Sequence, residues 1–134
     1  MLDTNVIVSA AIKSSGPPAR IVESAIVRAE VQIVVSPSIA TEYRRVVRYS
    51  KFAQHNFPPA WLEFLIEESL HCADGPPWPH ALPDADDSIF LAAAEKTGAW
   101  LITGNLRHFP TDARGGVVVQ SPGEYCGWLE KREP

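Results

Sequence analysis

Acidic and amide side chains recur at places where they could act together. Asp3 sits in "MLDTNVIVSA", Glu42 in "ATEYRRVV", Asp84, Asp86 and Asp87 in "DADDSIFLAAA", and Asn105 in "LITGNLRHF". Each has an ordinary alternative role. Asp3 could cap the helix that follows it, Glu42 could be a solvated helix acid, and Asp84 could cap its helix while Asp86 and Asp87 complement the helix dipole. Asp87 is harder to explain this way. Phe90, Leu91 and Ala94 follow it at i+3, i+4 and i+7, which puts it within an apolar stripe. The helix is apolar almost all round, so periodicity does not separate Asp86 from Asp87. Carboxylates that converge repel one another, and burial adds to the cost. Shared protons, basic partners or a metal must compensate. Oxygen donors without His or Cys clusters favour Mg²⁺ or Mn²⁺. Such a site can hold a phosphodiester and turn a bound water into a nucleophile.

These residues must be held by ordered elements. "MLD" reads as the end of a strand, clipped relative to the usual five or so residues. "NVIVSAAI" predicts a short helix after Asp3, and "ARIVESAIVRA" a second with apolar residues at helical spacing. "VQIVV" predicts a strand. Ser36 and Pro37 then open a helix as N-cap and first residue, with Glu42 at the margin of its apolar arc. "PPAWLEFLIEESLHCA" predicts another helix, with Pro58 and Pro59 at its entry, and "DGPPWPHALP" a proline-dense loop. "DADDSIFLAAAEKTG" predicts a helix ended by Gly98. "AWLIT" is a strand, "GNLRHFP" a turn, "GGVVVQ" a strand and "SPGEYCGWLEKR" a closing helix. Strands alternating with helices predict a parallel sheet covered on both faces. Ligands bind such sheets beyond the carboxyl ends of the strands, where Asp3 and Asn105 fall.

The bulk properties narrow the classes. The chain has 134 residues, 46% of them hydrophobic and 21% charged, so it can build a packed core. Its net charge of −4 argues against a large basic nucleic-acid surface. It leaves room for an enzyme whose own acids lower the total. No apolar run approaches the ~20 residues of a membrane helix, and no signal peptide is evident, which predicts a cytoplasmic protein. Cys72 and Cys126 have no metal or redox spacing and are expected to be free thiols.

Taken in order and spacing, "LDTNV", "ATEYRRVV", "DADDSIFLAAA" and "LITGNLRHF" resemble the PIN domain, and within it the VapC-like nucleases of toxin–antitoxin pairs. The resemblance covers essentially the whole chain, so a single PIN-like domain is expected over 1–134. It implies an α/β fold, a three-layer α/β/α sandwich with a central parallel β-sheet. It also implies a Mg²⁺- or Mn²⁺-dependent endoribonuclease acting on single-stranded or structured RNA, a homodimer, and a cognate antitoxin lying over the acidic cleft. On this resemblance Asp3, Glu42 and Asp87 are the principal metal-holding acids, and Asp84 is a frequent companion. Thr4 and Asn5 would orient Asp3, and Thr103 matches the family's strand-end threonine. Many relatives carry a fourth Asp where this chain has Asn105, which offers a carbonyl oxygen but no charge. That departure and the clipped first strand favour, as the alternative, a catalytically inactive module that binds RNA or a partner. A PIN nuclease without an antitoxin is a third reading. A signalling receiver domain fits poorly, because no Lys follows "VVVQ".

Basic residues would meet the RNA backbone. Arg44, Arg45, Arg48 and Lys51 lie on and after the Glu42 helix, Lys13 and Arg20 flank the loop after the first helix, and Arg107 follows Asn105. Arg45, Arg48 and Lys13 are the expected substrate contacts. His108 reads as a turn residue, Trp100 as core, and "GPPWPH" as a stiff connector.

Overall fold

The computed structural model describes residues 1–48 and 59–132. Lys51 and Pro58, both named above, lie outside the described residues. The chain folds as α/β, with helices α1 (Thr4–Ile12), α2 (Pro17–Ile26), α3 (Pro37–Val46), α4 (Pro59–Glu68), α5 (Ser88–Thr97) and α6 (Pro122–Arg132). Between them run strands β1 (Val34–Val35), β2 (Leu70–His71), β3 (Leu101–Ile102) and β4 (Val119–Gln120).

Among the described residues all the pairing is parallel. β1 pairs with β2 in the register Val34–Leu70, and β3 pairs with β4 in the register Leu101–Val119. Leu2 bridges to Ile102 on the other side of β3. There the Ile102 N–H donates to the Met1 carbonyl and the Asp3 N–H to the Ile102 carbonyl, both at 2.9 Å. The sheet is smaller than "VQIVV" and "AWLIT" suggested, because the ladders are two residues long and form two separate pairs. One strand departs from the sequence reading: the helix expected over Pro58–Ala73 stops at Glu68, and Leu70–His71 becomes β2. Leu70 N–H donates to the Ile33 carbonyl at 2.8 Å and Cys72 N–H to the Val35 carbonyl at 2.9 Å, which draws this segment out of the helix.

Helix boundaries follow local chemistry. The Ser36 hydroxyl accepts from the Ile39 N–H at 3.3 Å, and Pro37 begins α3. Gly98 ends α5 with φ of +75°, a left-handed conformation that glycine adopts without steric cost. α1, α2 and α6 pack together, while α3 packs on α1, α4 and α5. The buried core joins Ile7, Ile21, Val35, Ile39, Leu62, Leu65, Phe90, Leu91, Leu101 and Phe109, from every layer. Cys72 is half-buried and Cys126 buried, and both are free. Among the described residues no helix is long and apolar enough to cross a membrane.

The proline-dense segment is tied down at three points. Asp74 accepts from the Ser38 N–H at 3.0 Å and its hydroxyl at 2.7 Å, at the start of α3. Gly75 lies so close to α5 that a Cβ there would collide with the Ala92 carbonyl. Trp78 Nε1 donates to the Ala113 carbonyl at 2.8 Å. The segment is a strap across the helix that begins at Asp87.

Candidate active site

Asp3 is delivered by the bridge between Leu2 and β3 and stands at the start of α1. Only 5% of it is exposed. Its carboxylate is not spent on capping α1. Instead, Oδ2 accepts from the Thr103 hydroxyl at 2.7 Å and from Asn5 Nδ2 at 3.2 Å. Asn5 Oδ1 in turn accepts from the Gly104 N–H at 3.0 Å, which ties the start of α1 to the exit of β3. Asn5 and Thr103 thus both hydrogen-bond the Asp3 carboxylate. The Thr4 hydroxyl is buried and has no hydrogen-bond partner among the described residues, and Thr4 acts on Asp3 through its backbone N–H.

Glu42 is placed by α3. Its neighbour Tyr43 is fully buried and donates its hydroxyl to the Leu2 carbonyl, which clamps α3 against the residue before Asp3. Glu42 is turned onto its own helix, where Arg45 Nη2 meets Oε1 at 2.8 Å. Asp87 ends a 3₁₀ turn, Ala85–Asp87, that Asp84 caps by accepting the Asp86 N–H at 3.0 Å. Asp84 and Asp86 are exposed, but the Asp87 side chain is only 14% exposed. The apolar stripe that follows Asp87 draws it inward.

The electrostatics show which groups share a neighbourhood. Burial pushes the Asp3 carboxyl up, Thr103 and the Thr4 N–H pull it back, and Glu42 adds to the rise. Asp87 is pushed up to about 6, first by burial, then by the charges of Asp3 and Asp84, with His108 opposing. Asp3 therefore lies within electrostatic reach of Glu42 on one side and of Asp87 on the other. Asp84 borders Asp87, with its carboxylate engaged as a cap.

His108 closes the turn Leu106–His108, and there its Nδ1 lies 3.0 Å from Asp87 Oδ2, a contact that its place in the sequence did not announce. The one available signal was its position three residues after Asn105, in the turn leaving β3. Asn105 donates its N–H to the Thr103 hydroxyl at 3.0 Å, and its carboxamide is not used in capping. Among the expected substrate contacts, Arg45 is at the site through Glu42, and Arg48 is exposed beyond the end of α3. Lys13 is exposed at the far end of α1, roughly 15 Å along the helix from Asp3 at the usual rise per residue. Arg44 is held by Glu63 at 2.7 Å.

Among the described residues no three acid, histidine or cysteine side chains are gathered as a ready metal cage. Glu42 faces Arg45 and Asp87 faces His108. The donor chemistry nevertheless fits a hard divalent cation: several carboxylates, two of them with raised pKa, and few basic partners. A groove of about 300 Å³ opens at the opposite end of the strands between Ile33 and Trp100, and none of its lining residues is acidic.

No curated protein matches the chain. The PIN domain family does, over residues 1–107. PIN domains are generally nucleases that use divalent metals and act on RNA or other nucleic acid, and by a match that spans most of its length this chain belongs to the PIN domain family.

Proposed function

We propose that the chain is a Mg²⁺- or Mn²⁺-dependent endoribonuclease, the toxin of a toxin–antitoxin pair, working as one domain in the cytoplasm. The observation that carries the nuclease reading is the gathering of Asp3, Glu42 and Asp87, where burial first, and neighbouring acidic charge after it, raises the Asp3 and Asp87 carboxyls above the ordinary aspartate value. Asp3, Glu42 and Asp87, with Asp84 at the margin, would hold the ion, which when bound supplies charge for the scissile phosphate and a water of lowered pKa.

The chain's own groups do the rest. Thr103 and Asn5 keep the Asp3 carboxylate aimed, so little reorganisation is needed when RNA arrives. Arg45, on the same helix as Glu42, can exchange that carboxylate for a backbone phosphate, with Arg48 one turn further on. Lys13 would meet the strand farther out. The Asn105 carboxamide offers a neutral oxygen or N–H at the strand end. Hydrolysis would leave a 5′-phosphate and a 3′-hydroxyl. The toxin role, the antitoxin that covers the cleft and the homodimer rest on the motif resemblance.

Asn105 in place of a fourth acid favours the second reading, an inactive RNA- or partner-binding module. One assay separates them. The purified chain, freed of any partner, is given Mn²⁺ and mixed single-stranded RNA beside Asp87→Asn. We expect cutting by the wild type, loss of at least about 100-fold in Asp87→Asn, and none with chelator. Equal cutting by both forms, or none by either, overturns the nuclease reading.

A further inference from the structure

We propose that His108 is a positioning residue for Asp87: it holds one carboxylate oxygen so that the other is presented to the bound cation. This rests on the nuclease reading above. The chain leaves β3 through Thr103, whose hydroxyl grips Asp3. The Asn105 N–H returns to that same hydroxyl, and the Asn105 carbonyl accepts the His108 N–H at 3.1 Å. On the other side, Phe109 is fully buried and its carbonyl accepts from Arg114 Nε at 2.7 Å. His108 is therefore fixed from both flanks. One short turn grips two carboxylates, Asp3 through Thr103 and Asp87 through His108.

Asp87 has little else to orient it. It stands at the N-cap of α5 without a side-chain capping bond. Among the described residues, the contact with His108 Nδ1 at Oδ2 is the hydrogen bond that sets its direction, and Oδ1 is left for a ligand. An imidazole donating from Nδ1 serves this role, as outer partners of metal-binding carboxylates do. The His108 side chain is 41% exposed, so as an ion pair it adds little to fold stability. Its consequence belongs in metal affinity.

The full chain is titrated with Mn²⁺ alone by calorimetry, as wild type, His108→Ala, His108→Asn and His108→Gln. His108→Ala is expected to weaken Mn²⁺ binding about 10- to 100-fold. In His108→Asn the carboxamide nitrogen takes the place of Nδ1, and affinity should return to within a few-fold of wild type. His108→Gln puts its donor farther out and should behave as alanine does. Melting of the metal-free variants should stay close to wild type, which separates lost aim from lost fold. His108→Ala binding Mn²⁺ as tightly as wild type, or more tightly, overturns the proposal alone, as does rescue by Gln equal to rescue by Asn. A wild type that takes up no Mn²⁺ overturns the nuclease reading and this proposal with it.

Discussion

Asp87 shows most directly what the cluster costs. An ordinary aspartate titrates near 3.8, and here burial and two neighbouring acids hold the group at about 6. The folded state therefore binds this proton more tightly than the unfolded chain does. Between about pH 4 and pH 6 the folded state carries more protons, so stability falls as pH rises through that window, and the loss is complete above it. After discounting for partial exposure, the penalty at neutral pH is about 1 kcal/mol. Asp87→Asn removes the charge and keeps an acceptor for His108. Without divalent ions it should melt a few degrees above wild type at pH 7.5, and the two should converge at about pH 4. Thermal melts across that range test this. An Asp87→Asn protein less stable than wild type at every pH would show that the carboxylate is no burden. Such a result would remove the main support for the metal-binding reading.

At the scale of elements, the strap packs against α5, the helix that Asp87 opens. Gly75 lies against the Ala92 backbone, and no side chain fits between them. Gly75→Ala should lift the strap, destabilise the fold by about 1–3 kcal/mol and lower any nuclease activity, while Gly123→Ala, which meets only the Ser121 hydroxyl at 4.0 Å, should change neither. Denaturant unfolding of both variants is the check. The helices that carry the site were largely legible in the sequence because their signals are local: Ser36 before Pro37, Gly98 after the alanine run, apolar residues at helical spacing. β2 was not legible. Leu70 and His71 are both exposed, so they show no alternation, and they continue the preceding helical pattern without a break. Their state is decided by pairing with Val34 and Val35, more than thirty residues away. The same holds within the site. Asp3, Glu42 and Asp87 stood out by residue type and by their place relative to strands and helices. The bond between Asp87 and His108 spans 21 residues of sequence and no spacing rule encodes it.

For the whole molecule, a net charge of −4 means that RNA must approach a surface that on balance repels it. The acids contribute to that balance, and two of the arginines best placed to offset it, Arg44 and Arg45, are held in ion pairs with Glu63 and Glu42. A divalent cation would change the local sign, free Arg45 and relieve the repulsion at once. Its binding is then coupled to folding, and the coupling is measurable without any substrate. At pH 7.5, Mn²⁺ at about 100 times its dissociation constant should stabilise the fold by about 2.7 kcal/mol. For a chain of this size that is a rise in melting temperature on the order of 10 °C, reversed by chelator. At pH 5 the rise should shrink, because the ion must then displace the proton that Asp87 prefers to keep. In Asp87→Asn it should be small at both pH values. The wild type would thus gain most from Mn²⁺ where its metal-free form is weakest, which is what a fold strained by its own carboxylates requires. A melting temperature indifferent to Mn²⁺ at pH 7.5, or raised equally in wild type and Asp87→Asn, would mean that the acids are stabilised by the protein alone and that no cation belongs among them.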